Sequence, residues 1–150
     1  MTPPPARSAE QRKKDVLARL ENDKDVWVAT ASAEGLPTMV PLSFVWDDGT
    51  LLLCTRRTNP TAVNAADGCP AVVTLGHTRD VVHIEGTART VPGPELSAAS
   101  ADAFAAKLVW DPRDEKAWTY LRISPHAIRA WREVNELATR ELMRDGVWLV

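Results

Sequence analysis

Two glycine turns, set fourteen residues apart in a run of β-branched and apolar residues, constrain this chain more than any other feature. Val26, Val28 and Thr30 alternate with Trp27, Ala29 and Ala31, the period of a half-buried strand, and the run stops at Ala33-Glu34-Gly35. A second strand, Thr38 to Trp46, follows and ends at Asp47-Asp48-Gly49, where glycine accepts the positive φ of a tight hairpin. A third, Thr50 to Thr55, completes the meander. Pro41 interrupts the second strand and cannot donate to a ladder, so it marks either an edge position or a bulge.

The rest of the chain extends this pattern. Ala9 to Asn22 carries Val16, Leu17 and Leu20 among charges, the stripe of an amphipathic helix. The third strand runs into Arg56-Arg57-Thr58-Asn59-Pro60-Thr61 and then a short helix, Ala62 to Ala66, with proline near its first turn. Ala71 to Leu75 and Val81 to Val91 read as further strands. Pro94 is expected to open a helix through about Leu108, with Leu96, Ala99, Ala103, Phe104 and Leu108 on one face. Trp118 to Arg132 reads as a strand pair or one long bent strand around Ser124-Pro125. Arg144-Asp145-Gly146 suits a hairpin turn or the end of a short helix. Short antiparallel connections with three helices predict a mainly β, α+β domain: a small antiparallel β-barrel with helical plugs.

Length and charge narrow the function. The chain has 150 residues, one domain's worth, so two independent cores are not expected. Eighteen Lys and Arg against 20 Asp and Glu give a net charge of -2, so no global positive field recruits nucleic acid or anionic lipid. Apolar runs are far shorter than the ~20 residues of a membrane helix, and the proline-rich start lacks a secretory apolar region, so a cytoplasmic protein is expected. Residues 1–8 are read as a disordered tip, 9–132 as the barrel domain, and 133–150 as an arm packing on the barrel or a dimer partner. Cys54 and Cys69 lack metal-ligand spacing; no metal site is expected, and Cys54 reads as a small core residue.

No nucleophile-and-base arrangement, phosphate loop or dinucleotide fingerprint is present, so no catalytic side chain is assigned and any reaction falls to a bound cofactor. The junction from Thr55 to Asn64 combines Arg56 and Arg57 with the hydroxyls of Thr58 and Thr61 before a helix start. It reads as a phosphate pocket or as a solvated hairpin end with a helix cap. His83 and Glu85 share one strand face and read as a hydrogen-bonded surface pair. Six tryptophans stand against one tyrosine and two phenylalanines, a lopsided aromatic count.

The order of "VWVATASAEGLPTMVPLSFVWDDGTLLLCT", "RRTNPTAVNA", "AVVTLG", "VVHIEGTARTV" and "YLRISPHAIRAW" resembles the pyridoxamine 5'-phosphate oxidase-like split β-barrel family across most of residues 9–132. The resemblance implies a Greek-key-like split barrel of about six strands with peripheral helices. It also implies a homodimer binding FMN or the deazaflavin coenzyme F420 at the subunit interface and exchanging a hydride with a small organic substrate. A non-catalytic carrier of flavin or haem is the alternative. The cofactor ring would lie against the strands Thr38–Ser43, through Thr38, Val40, Pro41 and Ser43, and Leu53–Arg56, which includes Thr55. Its phosphate would be held at the junction from Arg56 to Asn64, with Arg57, Thr58 and Thr61. Trp46, Trp110 or Trp131 would line the substrate pocket and stack on or cover the ring. The family's junction usually carries a lysine where this chain has Thr61 and another basic residue where Val63 stands. A charge-assisted hydrogen bond to phosphate contributes about 1.5–3 kcal/mol, and each of these replacements removes one. No further Arg and His cluster exists to grip a second phosphate, so oxidation of pyridoxamine phosphate itself is not expected.

Overall fold

The structure is a computed structural model describing residues 2–150. Helix α1 (Ala9–Asn22) starts at Ser8, whose hydroxyl accepts the Gln11 N–H at 3.1 Å. Val16 and Leu20, four residues apart, drop into the barrel and are buried. Strands β1 (Asp25–Ala31), β2 (Pro37–Asp47) and β3 (Thr50–Arg56) form the expected meander. Helix α2 (Pro60–Ala65) then carries the chain back to β4 (Cys69–Leu75), which pairs with β1 rather than β3. A fourth strand returning beside the first is a Greek key. β5 (Val81–Val91) pairs with β4, and β6 (Trp118–Trp131) pairs with β5.

Closure comes from β3 and β6, paired antiparallel from Leu51 opposite Ile123 to Arg56 opposite Trp118. The result is a closed six-stranded antiparallel barrel of the α+β class, extended by the hairpin β7 (Glu141–Arg144) and β8 (Val147–Trp148) on β6. Inward residues Val28, Phe44, Leu51, Leu53, Val73, Ile84, Leu121 and Ile123 fill it. The outward residues of the same strands, Val45, Leu52, Cys54 and Tyr120, are also buried, because α3 (Ala98–Leu108) covers them with Phe104. Burial on both faces explains the unbroken apolar run Leu51 to Cys54. The expected single core is therefore joined by a second, smaller cluster sharing its strands.

Several expectations change. Pro94 sits in a short 3-10 turn, Gly93–Glu95, and α3 begins later, capped by the Ser97 hydroxyl accepting the Ser100 N–H at 3.2 Å. Its covered face is Ala101 and Phe104, while Ala99 is exposed. β6 is one strand with a register shift opposite Glu85 and Gly86, which leaves His126 as the extra residue. Gly86 is required there, since a Cβ would collide with the Ser124 carbonyl. The Arg144-Asp145-Gly146 segment is a hairpin turn, with Asp145 and Gly146 both at positive φ. Glu85 pairs with Arg129 at 2.7 Å rather than with His83, whose Nδ1 is buried without a partner. Among the described residues no helix is long and apolar enough to cross a membrane.

The segment before α1 and the arm after β6 meet in a charged knot. Glu136, in the short 3-10 helix Val134–Thr139, accepts the Arg7 main-chain N–H at 2.9 Å, the Arg7 guanidinium at 2.9 and 3.0 Å, and the Arg132 N–H at 2.7 Å. Arg12, buried beneath it, donates to the Thr139 carbonyl at 2.6 Å and the Arg7 carbonyl at 3.1 Å. Within the segment expected as a disordered tip, Pro4 and Arg7 thus carry defined contacts, the former through Asn135.

Arg7 holds the Glu136 carboxyl down at about 2, below its ordinary 4.5. A group depressed on folding contributes its stability above its unfolded value and loses it as pH falls through the folded one. Urea unfolding should therefore show a stability loss between about pH 4.5 and pH 2 that Glu136→Gln removes. At neutral pH the same variant should be destabilised by about 1.5–3 kcal/mol, because it removes a charge from these hydrogen bonds and leaves the buried Arg12 guanidinium without its carboxylate neighbour, while Arg7 keeps Asp15.

Candidate functional site

The barrel is split along β2. Residues 44–47 pair with β3, but residues 37–43 pair only with β1, so one edge of that half is open. The Phe44 N–H donates to the Lys24 carbonyl at 2.9 Å, which fixes the phase: residues 38, 40 and 42 turn their N–H groups toward β1, and residues 37, 39, 41 and 43 face the open edge. Two of those four are prolines, so the edge there offers only two N–H groups, those of Met39 and Ser43. The register runs through Pro41 without a shift, and Pro41 is therefore an edge residue and not a bulge. The pleat divides the candidate ring contacts. Thr38 and Val40 lie half-buried on the inner face, opposite Thr30 and Val28, while Pro41 and Ser43 are exposed on the outer one. The Ser43 hydroxyl donates to Asp25 Oδ1 at 2.6 Å.

A groove of about 380 Å³ follows the split, with Pro41, Leu42 and Ser43 on one wall, Cys54 at its floor, and Phe104, Leu108 and Trp110 on the other. Trp110 meets the Trp118 ring edge-on at 4.8 Å, and the Arg56 guanidinium lies 4.8 Å over the other ring of that pair, Trp118. An aromatic ladder thus runs from the groove to the end of β3. Val109, the residue before Trp110, closes α3 in the left-handed region at φ 54°. Such a backbone costs a β-branched residue about 1–2 kcal/mol, so the turn presenting Trp110 is held against local preference. Burial pushes the Cys54 thiol up to about 12, leaving it protonated and inert as a nucleophile.

At the junction the expected residues separate by role. Thr55 is buried, and its hydroxyl accepts the Asn59 amide at 2.9 Å, so Asn59 ties the loop to β3 instead of capping α2. Asn64 donates to the Thr30 hydroxyl at 3.0 Å, which brings α2 against the strand paired with Thr38. Arg56, Arg57 and Thr58 are exposed, and neither arginine pairs with a carboxylate among the described residues. Thr61 is only 1% exposed and cannot serve as a surface phosphate ligand, a correction to the sequence expectation. Of the three candidate ring covers, only Trp110 borders the groove. Trp46 packs against the barrel core, and Trp131 lies at the far end of β6, opposite Val81 and beneath Arg140. Trp118 and Phe104 belong to the site but were not singled out; the helical spacing of Phe104 and Leu108 signals a packed face, and nothing local marks Trp118. Among the described residues no cluster of His, Cys, Asp and Glu forms a metal site.

A family model described as pyridoxamine 5'-phosphate oxidase matches residues 13–132. No curated protein matches the chain. Similar solved structures include a conserved hypothetical protein from Mycobacterium tuberculosis at 15% identity and TM-score 0.65, covering 82% of this chain and 86% of that one. An F420 reductase matches at 17% identity and TM-score 0.60, covering 74% and 93%. A heme binding protein from Mycobacterium smegmatis matches at 20% identity and TM-score 0.63, covering 89% of this chain but 57% of that protein. At such identities the likeness establishes a shared fold.

The groove floor is testable directly. With a disulfide reagent at mildly alkaline pH, the folded protein should label at the half-buried Cys69 and leave Cys54 unmodified, and both should react in denaturant. Cys69→Ser should then show no labelling until unfolding; rapid labelling of Cys54 would mean that the groove is open to its floor.

Proposed function

The chain belongs to the pyridoxamine 5'-phosphate oxidase family, and on that premise we propose that it is a homodimeric oxidoreductase binding FMN or the deazaflavin coenzyme F420 and serving a small organic substrate. The observation that carries this reading is the groove at the split: an open strand edge and an aromatic wall, leading to an arginine with no carboxylate partner among the described residues.

The residues present suit such a group. Arg56, with Thr58 beside it, supplies charge and a hydroxyl for a phosphate, and Arg56 stands fixed over Trp118 without needing to break an ion pair first. Thr61, being buried, contributes nothing there, so the phosphate end relies on fewer charges than the family pattern has. Along the ring, the Met39 and Ser43 N–H groups and the carbonyls of the open edge provide main-chain partners, and the two prolines add no further donor. Trp110 borders the groove and offers a bound ring an apolar face. When bound, the cofactor supplies the hydride donor or acceptor. The chain's own part is binding and orientation.

A second copy is supported by the outer face of β1, β2 and β4. Trp27 (46% exposed), Met39 (63%) and Val72 (36%) lie in adjacent register there, with Leu36 (71%) at the rim. An apolar surface of this kind on one protein is the mark of an interaction site. The carrier alternative uses the same groove without turnover. Its haem version is disfavoured, since none of His77, His83 and His126 lines the groove to serve as an axial ligand.

Titrating purified apoprotein separately with FMN and with deazaflavin should give saturable binding of one of them. Arg56→Ala should weaken it at least about tenfold, or about 1.4 kcal/mol. Unchanged affinity would place the phosphate elsewhere, and binding of neither cofactor would refute the reading. By light scattering the protein should run as a dimer that Trp27→Glu converts to a monomer of unchanged circular dichroism.

A further inference from the structure

Arg56 and Arg57 are consecutive at a strand end, and their side chains part. Arg56 turns to the α3 side over Trp118. Arg57, whose main-chain N–H is pinned to the Ala117 carbonyl at 3.0 Å, borders a separate cavity of about 270 Å³ between α2 and the ends of β5 and β6. The walls of that cavity are mostly apolar: Ala62 and Val63 from α2, Ala66 just past its end, and Pro92, with Thr90 also at the wall. The hydroxyl of Thr119, at the back, is committed to main-chain carbonyls at 3.2 and 3.4 Å, so it asks nothing of a ligand. Val63 is 59% exposed at the rim, an apolar side chain with no cover of its own.

We infer that this cavity is a binding site for a small monocarboxylate with an apolar body, its carboxylate on Arg57 and its body between α2 and Pro92. Charge and shape both select that class. The guanidinium has no carboxylate partner among the described residues and offers the planar fork that a carboxylate matches with two parallel hydrogen bonds. The volume falls just below the range of drug-sized ligands, which fits a benzoate-sized or short branched-chain acid. The hollow on the other side of Arg57, about 230 Å³ beside Trp118, has mixed charge: Arg113 and Lys116 line it together with Asp114 and Glu115, whose carboxylates oppose an anion. The α2 side has no such opposition. The site lies apart from the groove and requires no bound cofactor.

Titration of the ¹⁵N-labelled apoprotein with benzoate, followed by amide shifts, tests the assignment. The expected result is saturable binding in the millimolar range, with shifts confined to residues 57–66, Thr90 and Thr119, and at least about tenfold weaker binding of uncharged benzyl alcohol. Arg57→Ala should lose at least about tenfold in benzoate affinity. Val63→Asp, which sets a like charge at the rim, should lose as much while keeping the fold. Arg56→Ala should leave benzoate affinity within about twofold, even though it weakens cofactor binding in the groove. Absence of shifts through the millimolar range, equal affinity in Arg57→Ala, or shifts that follow Arg56 and the groove would each overturn the proposal. Failure of cofactor binding alone would leave it standing.

Discussion

Everything in this molecule depends on the antiparallel pairing of β3 with β6. It joins residues 51–56 to 118–123, turning a six-stranded sheet with two raw edges into a barrel. Because the pairing uses only part of each strand, it leaves the two features on which function rests. The second half of β6 stays free to accept β7, and the first half of β2 stays without a neighbour beyond β1. Closure also doubles the duty of β3: Leu51 and Leu53 point into the barrel, while Leu52 and Cys54 point outward and require α3 as cover. The groove exists because α3 reaches over β3 and beyond it to the unpaired length of β2, where no strand fills the space.

The charged knot around Glu136 answers a different need. A barrel plugged by α1 gains apolar burial from Val16 and Leu20, and the arm after β6 adds Leu142 and Met143 to the same core, but the connection before α1 and residues 132–139 bury little apolar surface. Four hydrogen bonds to one carboxylate, with Arg12 buried alongside, fasten both segments to the end of β6 away from the groove. Stability and candidate chemistry thus sit at opposite ends of β6, and Trp118 and Trp131 mark them.

Much of the fold was legible in the sequence. The two glycine turns, the alternation of β1 and the stripe of α1 report short-range physics, and each appears in the structure where the residues place it. The misreadings have a common origin in tertiary context. Pro94 resembles a helix start, but Ser97 supplies the better cap. The alanine-rich stretch before Leu108 has several plausible faces, and only the packing of Phe104 on Tyr120 selects one. Glu85 finds Arg129, diagonal to it across the ladder, instead of His83 two residues along, because the arginine brings a full opposite charge on a side chain long enough to span the diagonal. For the site, the sequence located the loop but not the direction of its side chains. Thr61 faces inward and the two arginines diverge, and no linear pattern records which way a loop turns at a strand end. Arg12 and Glu136 were invisible for a similar reason: a buried charge looks like a surface charge until its partner, more than a hundred positions away, is known.

Pro37 and Pro41 on the open half of β2 have a meaning that reaches past any ligand. A bare strand edge is a template on which any extended chain can add, and a barrel left open for binding carries that hazard permanently. With prolines at two of the four outward-facing positions, an incoming strand finds only the Met39 and Ser43 N–H groups to accept from, too few for a growing ladder. The same edge admits a compact planar molecule, which needs one or two polar partners and no repeating register. The spacing of two rings that cannot donate therefore acts as a filter between small-molecule recognition and self-polymerisation, protecting the chain at the place where its architecture is least complete.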